Sequence, residues 1–149
     1  MSKFATGVAV VTTVDNASQG VGITVNSFNS VSLDPLLVLY ILDKKATRYS
    51  KFIDQKYFTV NVLSQSQKEI SQIFTVNQAV DWVKIGRKES LINSCPIIND
   101  VTAYFDCELY KVYDGGDHSI ILGKVLDSRS FDVEPLIYHD RNYKAVSKI

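Results

Sequence analysis

The amino-acid sequence predicts a mainly β protein, antiparallel hairpins closing into a barrel or sandwich with a few flanking α-helices, and three observations carry that expectation. Val8 to Val14 is a β-branched run that stops at the turn cluster Asp15, Asn16, Ala17, Ser18, Gln19, and Gly20 to Val25 returns beside it as the second strand of a hairpin. Leu36 to Leu42 is a continuous apolar run, the pattern of a strand covered on both faces. Residues 101 to 126 form a second hairpin: Ala103, Phe105, Cys107 and Leu109 alternate with Tyr104, Asp106, Glu108 and Tyr110, which predicts a strand buried on one face. Asp114, Gly115, Gly116 and Asp117 turn the chain, and Ser119 to Leu126 brings it back.

Length and composition set the frame. The 149 residues suffice for one domain over 1–149 with a sizeable core, and no Pro/Gly/Ser linker or charge block divides them. Sixteen basic and sixteen acidic side chains cancel and are interspersed, so the footprint of a nucleic-acid or anionic-membrane binder is missing. The apolar runs are too short to span a bilayer and the start, MSKFATG, has no signal-peptide core, so a cytoplasmic location is expected. Cys95 and Cys107 lack metal-ligand spacing and the density of a disulfide scaffold, and are read as buried or half-buried thiols. Partners are expected to be small molecules and protein.

Between the hairpins the elements follow in order. Asn26, Ser27, Asn29, Ser30 and Ser32 make a polar loop, stopped by Asp34 and Pro35. After the central strand, Tyr49, Phe52 and Ile53 recur at helical spacing, so a short helix should begin near Thr47, a plausible N-cap. Phe58 to Leu63 reads as a strand; Ser64 or Ser66 caps the next helix, with Glu69 three residues after Ser66 as a capping box requires. Ile70, Ile73 and Phe74 are its buried stripe, and Phe74 and Trp82 are read as core aromatics. Val76 to Pro96 has no clear period and suits a lid or an excursion.

Two stretches invite a chemical reading. The residues after Gly20, GVGITVNSFNSVS, supply hydroxyls and amides beside a strand, which suits contact with a flat or polyhydroxylated molecule; on local chemistry alone a Ser/Asn-rich hairpin loop has the advantage. Lys44, Lys45 and Arg48 precede the short helix, a physically sound phosphate site, although a solvated basic turn explains the same residues. His118 at the mouth of the second hairpin reads, by itself, as a surface histidine. No metal constellation, Ser/His/Asp order, phosphate-binding glycine motif or carboxylate pair competes with these stretches.

Taken together and in order, FATGVAVVTT, GVGITVNSFNSVS, SVSLDPLLVLYIL, FTVNVLSQSQKEIS and the Gly116-Asp117-His118 triplet resemble the flavin reductase family over nearly the whole chain. The nearest likeness is to the reductase component of 4-hydroxyphenylacetate 3-monooxygenase. The resemblance implies a split antiparallel β-barrel of the FMN-binding type, NADH or NADPH as reductant, FMN or FAD as the flavin, a homodimer, and a flavin-dependent oxygenase that receives reduced flavin. It implies that Thr24, Asn26, Ser27, Ser30, Val31 and Ser32 hold the isoalloxazine and ribityl groups and that Lys44, Lys45, Ala46, Thr47 and Arg48 hold the phosphate. It further implies that Gly116, Asp117, His118 and Tyr143 stand on the nicotinamide side, His118 and Tyr143 nearest the reaction, with Tyr138 along a ring and Arg141 toward the dinucleotide phosphates. His139 is left as a surface residue. Ala46 departs from the family, which commonly has a hydroxyl there, and Asp34-Pro35-Leu36 replaces the usual pair of prolines. A flavin-binding protein that does not turn over, on the same barrel, is the rival reading.

Overall fold

The computed structural model describes residues 2 to 76 and 79 to 147. In chain order its elements are β1 (Thr6–Gly7), β2 (Ala9–Val14), β3 (Gly20–Val25), β4 (Asn29–Leu33), β5 (Leu36–Asp43), α1 (Tyr49–Ile53), β6 (Tyr57–Val62), a 3-10 turn (Gln65–Gln67), α2 (Lys68–Thr75), α3 (Trp82–Ile85), β7 (Arg87–Glu89), β8 (Pro96–Ile98), β9 (Ala103–Gly115), β10 (His118–Ser130), β11 (Ile137–His139) and β12 (Asn142–Lys144). Seven strands form one antiparallel sheet in the order β3-β2-β6-β9-β10-β5-β4.

Alternation along these strands builds two layers. Val11, Val21, Val25, Val38, Tyr40, Leu42, Phe58, Val60, Cys107 and Ile121 point into the curled sheet, where Phe52 of α1 joins them. The opposite face of β2, β6 and β9 meets α2, β8 and β11, with Val8, Val10, Leu63, Phe74, Ile97, Ile98 and Tyr104 buried there. The sheet closes without a β3–β5 ladder: Ser27 Oγ accepts from the Ile41 amide at 2.9 Å and donates to its carbonyl at 3.3 Å, and Arg48 Nη1 reaches the Gly22 carbonyl at 2.8 Å. This is the split barrel that the resemblance implies, with few helices.

Several local expectations need correction. The polar loop is in fact the edge strand β4 over 29–33, paired with β5; its outward side faces water, so its polar residues carry no strand signal. Thr47 does not cap α1; Arg48 occupies that position, with no side-chain cap. The capping box pairs Ser64 with Gln67, whose Oε1 accepts from the Ser64 amide at 3.0 Å, because the chain enters the helix through the 3-10 turn two residues earlier than Ser66 would require. The first half of β9 is covered on both faces: Tyr104 is 7% and Asp106 1% exposed. The cause is residues 87–98, which follow the exit of α3, hold β7 and β8 and lie on the sheet as a packed wall, with Ser90, Cys95 and Ile97 buried. Residues 77 and 78 of the expected lid lie outside the described residues. The second hairpin is longer than the sequence pattern shows, running 103–115 and 118–130 about a turn in which Gly116 takes φ +81°. Cys95 and Cys107 are both buried, as read. Among the described residues, no helix is long and apolar enough to cross a membrane.

Candidate functional site

The site is organised by β3. Its outward positions are Gly20, Gly22 and Thr24. A Cβ on Gly22 would lie 2.5 Å from the Phe74 ring, so the missing side chain is what lets α2 lie flat on the strand. Trp82 Nε1 donates to the Gly20 carbonyl at 3.0 Å and Arg48 to the Gly22 carbonyl, which uses both carbonyls as anchors for neighbouring elements. A cavity opens at each end of the strand. That at its start, about 310 Å³, is lined by Gly20, Gly22, Arg48, Lys51, Val80 and Trp82; that at its end, about 210 Å³, by Thr24, Asn26, Ser71, Thr75, Tyr138 and Tyr143. Burial pulls the Arg48 guanidinium below its ordinary range.

The second cavity collects much of the expected ring contact. Thr24 Oγ1 donates to the Ser71 carbonyl at 2.7 Å, which leaves Asn26 as the exposed amide at the mouth. Tyr138 and Tyr143 meet edge to face, 5.4 Å between centroids, across the β11–β12 ladder, and the Tyr143 hydroxyl pairs with Ser71 Oγ at 2.9 Å. Ser30 and Val31 are exposed and Ser32 half-buried on β4, so they line neither cavity. Ser27 is engaged twice with Ile41 in closing the barrel.

The basic corner and the second hairpin meet. The Lys44 amide donates to the Asp117 carbonyl at 3.0 Å, and its ammonium bonds the Asp114 carboxylate and, at 2.6 Å, the Gly116 carbonyl. That hydrogen bond raises the Lys44 pKa and lowers that of Asp114. The Lys45 amide is taken by Asp43 Oδ1 at 2.8 Å and the Ala46 amide by the Asp43 carbonyl at 3.0 Å. Three amides and one ammonium are thus consumed by the turn itself. What stays open to a phosphate is the Lys45 ammonium and the Thr47 hydroxyl, both exposed and without a hydrogen bond among the described residues, beside Arg48. With five residues, α1 contributes little macrodipole, so any anion here is held by side chains.

His118 pairs across the ladder with Asp43, and its Nδ1 lies 2.7 Å from Asp117 Oδ1, a contact that holds the Asp117 carboxyl below its usual range. Its neighbour Ser119 is bound by the Tyr49 hydroxyl at 2.7 Å. His118 therefore belongs with the basic corner, and it lines no cavity in common with Tyr143 among the described residues. Arg141 is exposed in the turn between β11 and β12, where it and Asp140 both take positive φ. His139 is half-buried in β11. Sequence reasoning missed Ser71 and Thr75, which share one face of α2 at i and i+4; that spacing was legible, but the partner Tyr143 lies 72 residues away and left no local signal.

Residues 1–147 match the model of the flavin reductase like domain. The reductase component of the flavin-dependent trigonelline monooxygenase of Acinetobacter baylyi is 39% identical over 146 residues, 98% of this chain and 47% of that protein. The FMN reductase (NADH) SmoA of Agrobacterium fabrum is 38% identical over 142 residues, 93% of this chain and 78% of that protein. Among solved structures, the NADH:FAD oxidoreductase of Streptomyces globisporus, in complex with NAD and FAD fragments, superposes with a TM-score of 0.92 at 30% identity over 98% of this chain and 88% of that one. The chain spans 39%, 47% and 62% of the length of three of the curated relatives it matches.

Proposed function

We infer the activity from one premise: the chain belongs to the flavin reductase family, whose domain it carries over residues 1–147. The activity is NAD(P)H-dependent reduction of FMN or FAD, followed by release of the reduced flavin to a flavin-dependent oxygenase. The observation that carries it is the pair of cavities along β3, one beside a cationic corner and the other walled by two tyrosines.

These residues fit a flavin. Tyr138 and Tyr143 offer aromatic edges, and Asn26 supplies an amide for ring heteroatoms. Lys45, Thr47 and Arg48 suit a phosphate. Ser30, Val31 and Ser32, outside both cavities, are assigned to the outer rim, and Ser27 acts by holding that rim to β5. His118, steadied by Asp117, and Tyr143 are assigned to the reductant side, with Arg141 turned toward its phosphates.

Bound flavin and nicotinamide supply the chemistry: a hydride, with both electrons, passes from nicotinamide C4 to flavin N5 and a solvent proton completes the reduced flavin. The chain's part is to bind and align the two substrates and to keep the rings in contact. No side-chain acid or base is needed for that step. A single domain over residues 1–149, a homodimer and a cytoplasmic setting complete the reading; the oxygenase partner is in line with relatives named as reductase components of monooxygenases.

The test is oxidation of NADH and of NADPH by the purified chain with excess FMN or FAD. Turnover with at least one pair is expected. Flavin binding without oxidation of either reductant would replace the reductase by the non-turnover flavoprotein.

A further inference from the structure

Beyond Tyr143 lies a third cavity, of about 470 Å³, lined by Gln65, Ser66, Lys68, Leu136, Tyr143 and Lys144. Tyr143 lines both this cavity and the one at the end of β3. Its hydroxyl is fixed on Ser71, and Lys68 Nζ stands 5.8 Å from its ring centroid. One face of α2 runs along both spaces: Lys68 borders the outer one, and Ser71 and Thr75 the inner one. The outer space has the buried, apolar Leu136 in its wall, the polar Gln65 and Ser66 at its edge, and two ammonium groups. Neither Lys68 nor Lys144 makes an ion pair within 4 Å among the described residues.

We propose that this shelf, where Lys68 and Lys144 line one cavity with Tyr143, is the subsite for a phosphoryl group of the reductant dinucleotide. The proposal rests on the reductase reading and deepens it. A nicotinamide seated against Tyr143 would have its diphosphate one ribose away, within reach of the lysines that share the outer cavity with Tyr143. The flavin phosphate has its own cations at the far end of β3, so it does not compete for these. Two phosphates of a dinucleotide share the required chemistry, the bridging diphosphate and, in NADPH, the 2′-phosphate.

Because both lysines are exposed, each contributes modestly and is screened by salt. Calorimetric titration of NADP+ and NAD+ into wild type and into the Lys68→Ala/Lys144→Ala double variant at low ionic strength decides the matter. The double variant should bind about five- to thirtyfold more weakly, roughly the product of two small contributions. It should also lose most of the salt dependence seen in wild type, and Lys68→Arg/Lys144→Arg should restore the affinity. Loss confined to NADP+ identifies the 2′-phosphate; equal loss for both identifies the diphosphate. Unchanged affinity for both dinucleotides overturns the proposal, and so does a loss of FMN affinity with dinucleotide binding intact. The measurement needs no turnover, so a wild type that binds NADP+ through these lysines yet reduces no flavin would sink the reductase reading alone.

Discussion

The outer face of β3 and the outer face of β2, β6 and β9 are neighbouring stretches of one sheet, built from the same small polar residue types, yet they behave in opposite ways. Over β2, β6 and β9 the polar groups close on one another. Asp106 accepts from Thr59 Oγ1 at 2.5 Å and Ser90 Oγ at 2.6 Å; Asn61 bonds the Val10 carbonyl and the Ile98 amide; Thr12 reaches the Pro96 carbonyl; Asn93 bonds the Phe58 carbonyl and the Cys95 amide. Beside β3, Asn26, Lys45 and Thr47 have no such side-chain partners among the described residues and are exposed. Density of polar residues is therefore a poor guide to a ligand site. The question that separates the two faces is where each donor and acceptor finds its partner.

The largest effect should come from breaking the closed face. Asp106→Ala leaves the buried Thr59 and Ser90 hydroxyls without their acceptor and opens a void beneath residues 87–98. A loss of about 2–4 kcal/mol is expected, or a Tm lower by about 5–15 °C for a domain of this size. Denaturant unfolding measures it. A change below about 0.5 kcal/mol, the range of surface substitutions, would show that the network fills space and does not pin the wall.

Alkaline pH probes the same face from another side. Cys95 stands in the closed network, and burial pushes its thiol up to about 12 from an ordinary 9.0; burial likewise raises Cys107 in the barrel interior. In the unfolded chain these thiols ionise near 9, whereas the folded chain keeps their protons. Between pH 9 and about 12 the unfolded state therefore binds fewer protons, and stability falls as pH rises. Each thiol contributes a slope of about 1.4 kcal/mol per pH unit in that window and nothing below it. Unfolding free energies of wild type and Cys95→Ala across the window give the measurement; parallel curves would mean that Cys95 titrates normally. The folded thiols should also resist a disulfide reagent at neutral pH.

How far the sequence could see follows the same division. Strands β2, β3, β5, β6 and most of β9 and β10 were legible because their alternation or continuous apolar runs reflect the faces they bury. Edge strand β4 was not, since Asn29, Ser30 and Ser32 meet water on an unpaired edge and look like a loop. The cap of α1 was misplaced because Asp43, not Thr47, organises the turn. The closed network had no local trace: Thr12 and Pro96 are 84 residues apart and Thr59 and Asp106 are 47 apart. Of the candidate site, the basic corner and the hairpin at His118 were each legible, but the sequence grouped His118 with Tyr143; only the tertiary fold sets that hairpin against the corner and brings Ser71 to Tyr143.

The smallest effect sharpens the comparison most, because it sets one lysine against its neighbour. Lys44 is fully engaged, its amide with Asp117 and its ammonium with Asp114 and Gly116, so it ties the corner to the second hairpin. Lys45 spends its amide on Asp43 but leaves its ammonium in solvent. If unclaimed donors mark the ligand side, the two alanine variants should differ in kind. Lys45→Ala should weaken FMN by about two- to fivefold, the scale of a solvent-exposed ion pair, and leave riboflavin, which lacks the phosphate, unchanged. Lys44→Ala should instead loosen the corner and lower the affinity for both flavins to a similar degree. Fluorescence titration of the two flavins into each variant separates the cases. The Lys45 difference should also shrink as salt is raised, since exposed charges are screened. Loss of FMN discrimination in Lys44→Ala with none in Lys45→Ala would invert the assignment: the phosphate would then compete with Asp114 for Lys44, and an internal partner would no longer mark a residue as closed to ligand.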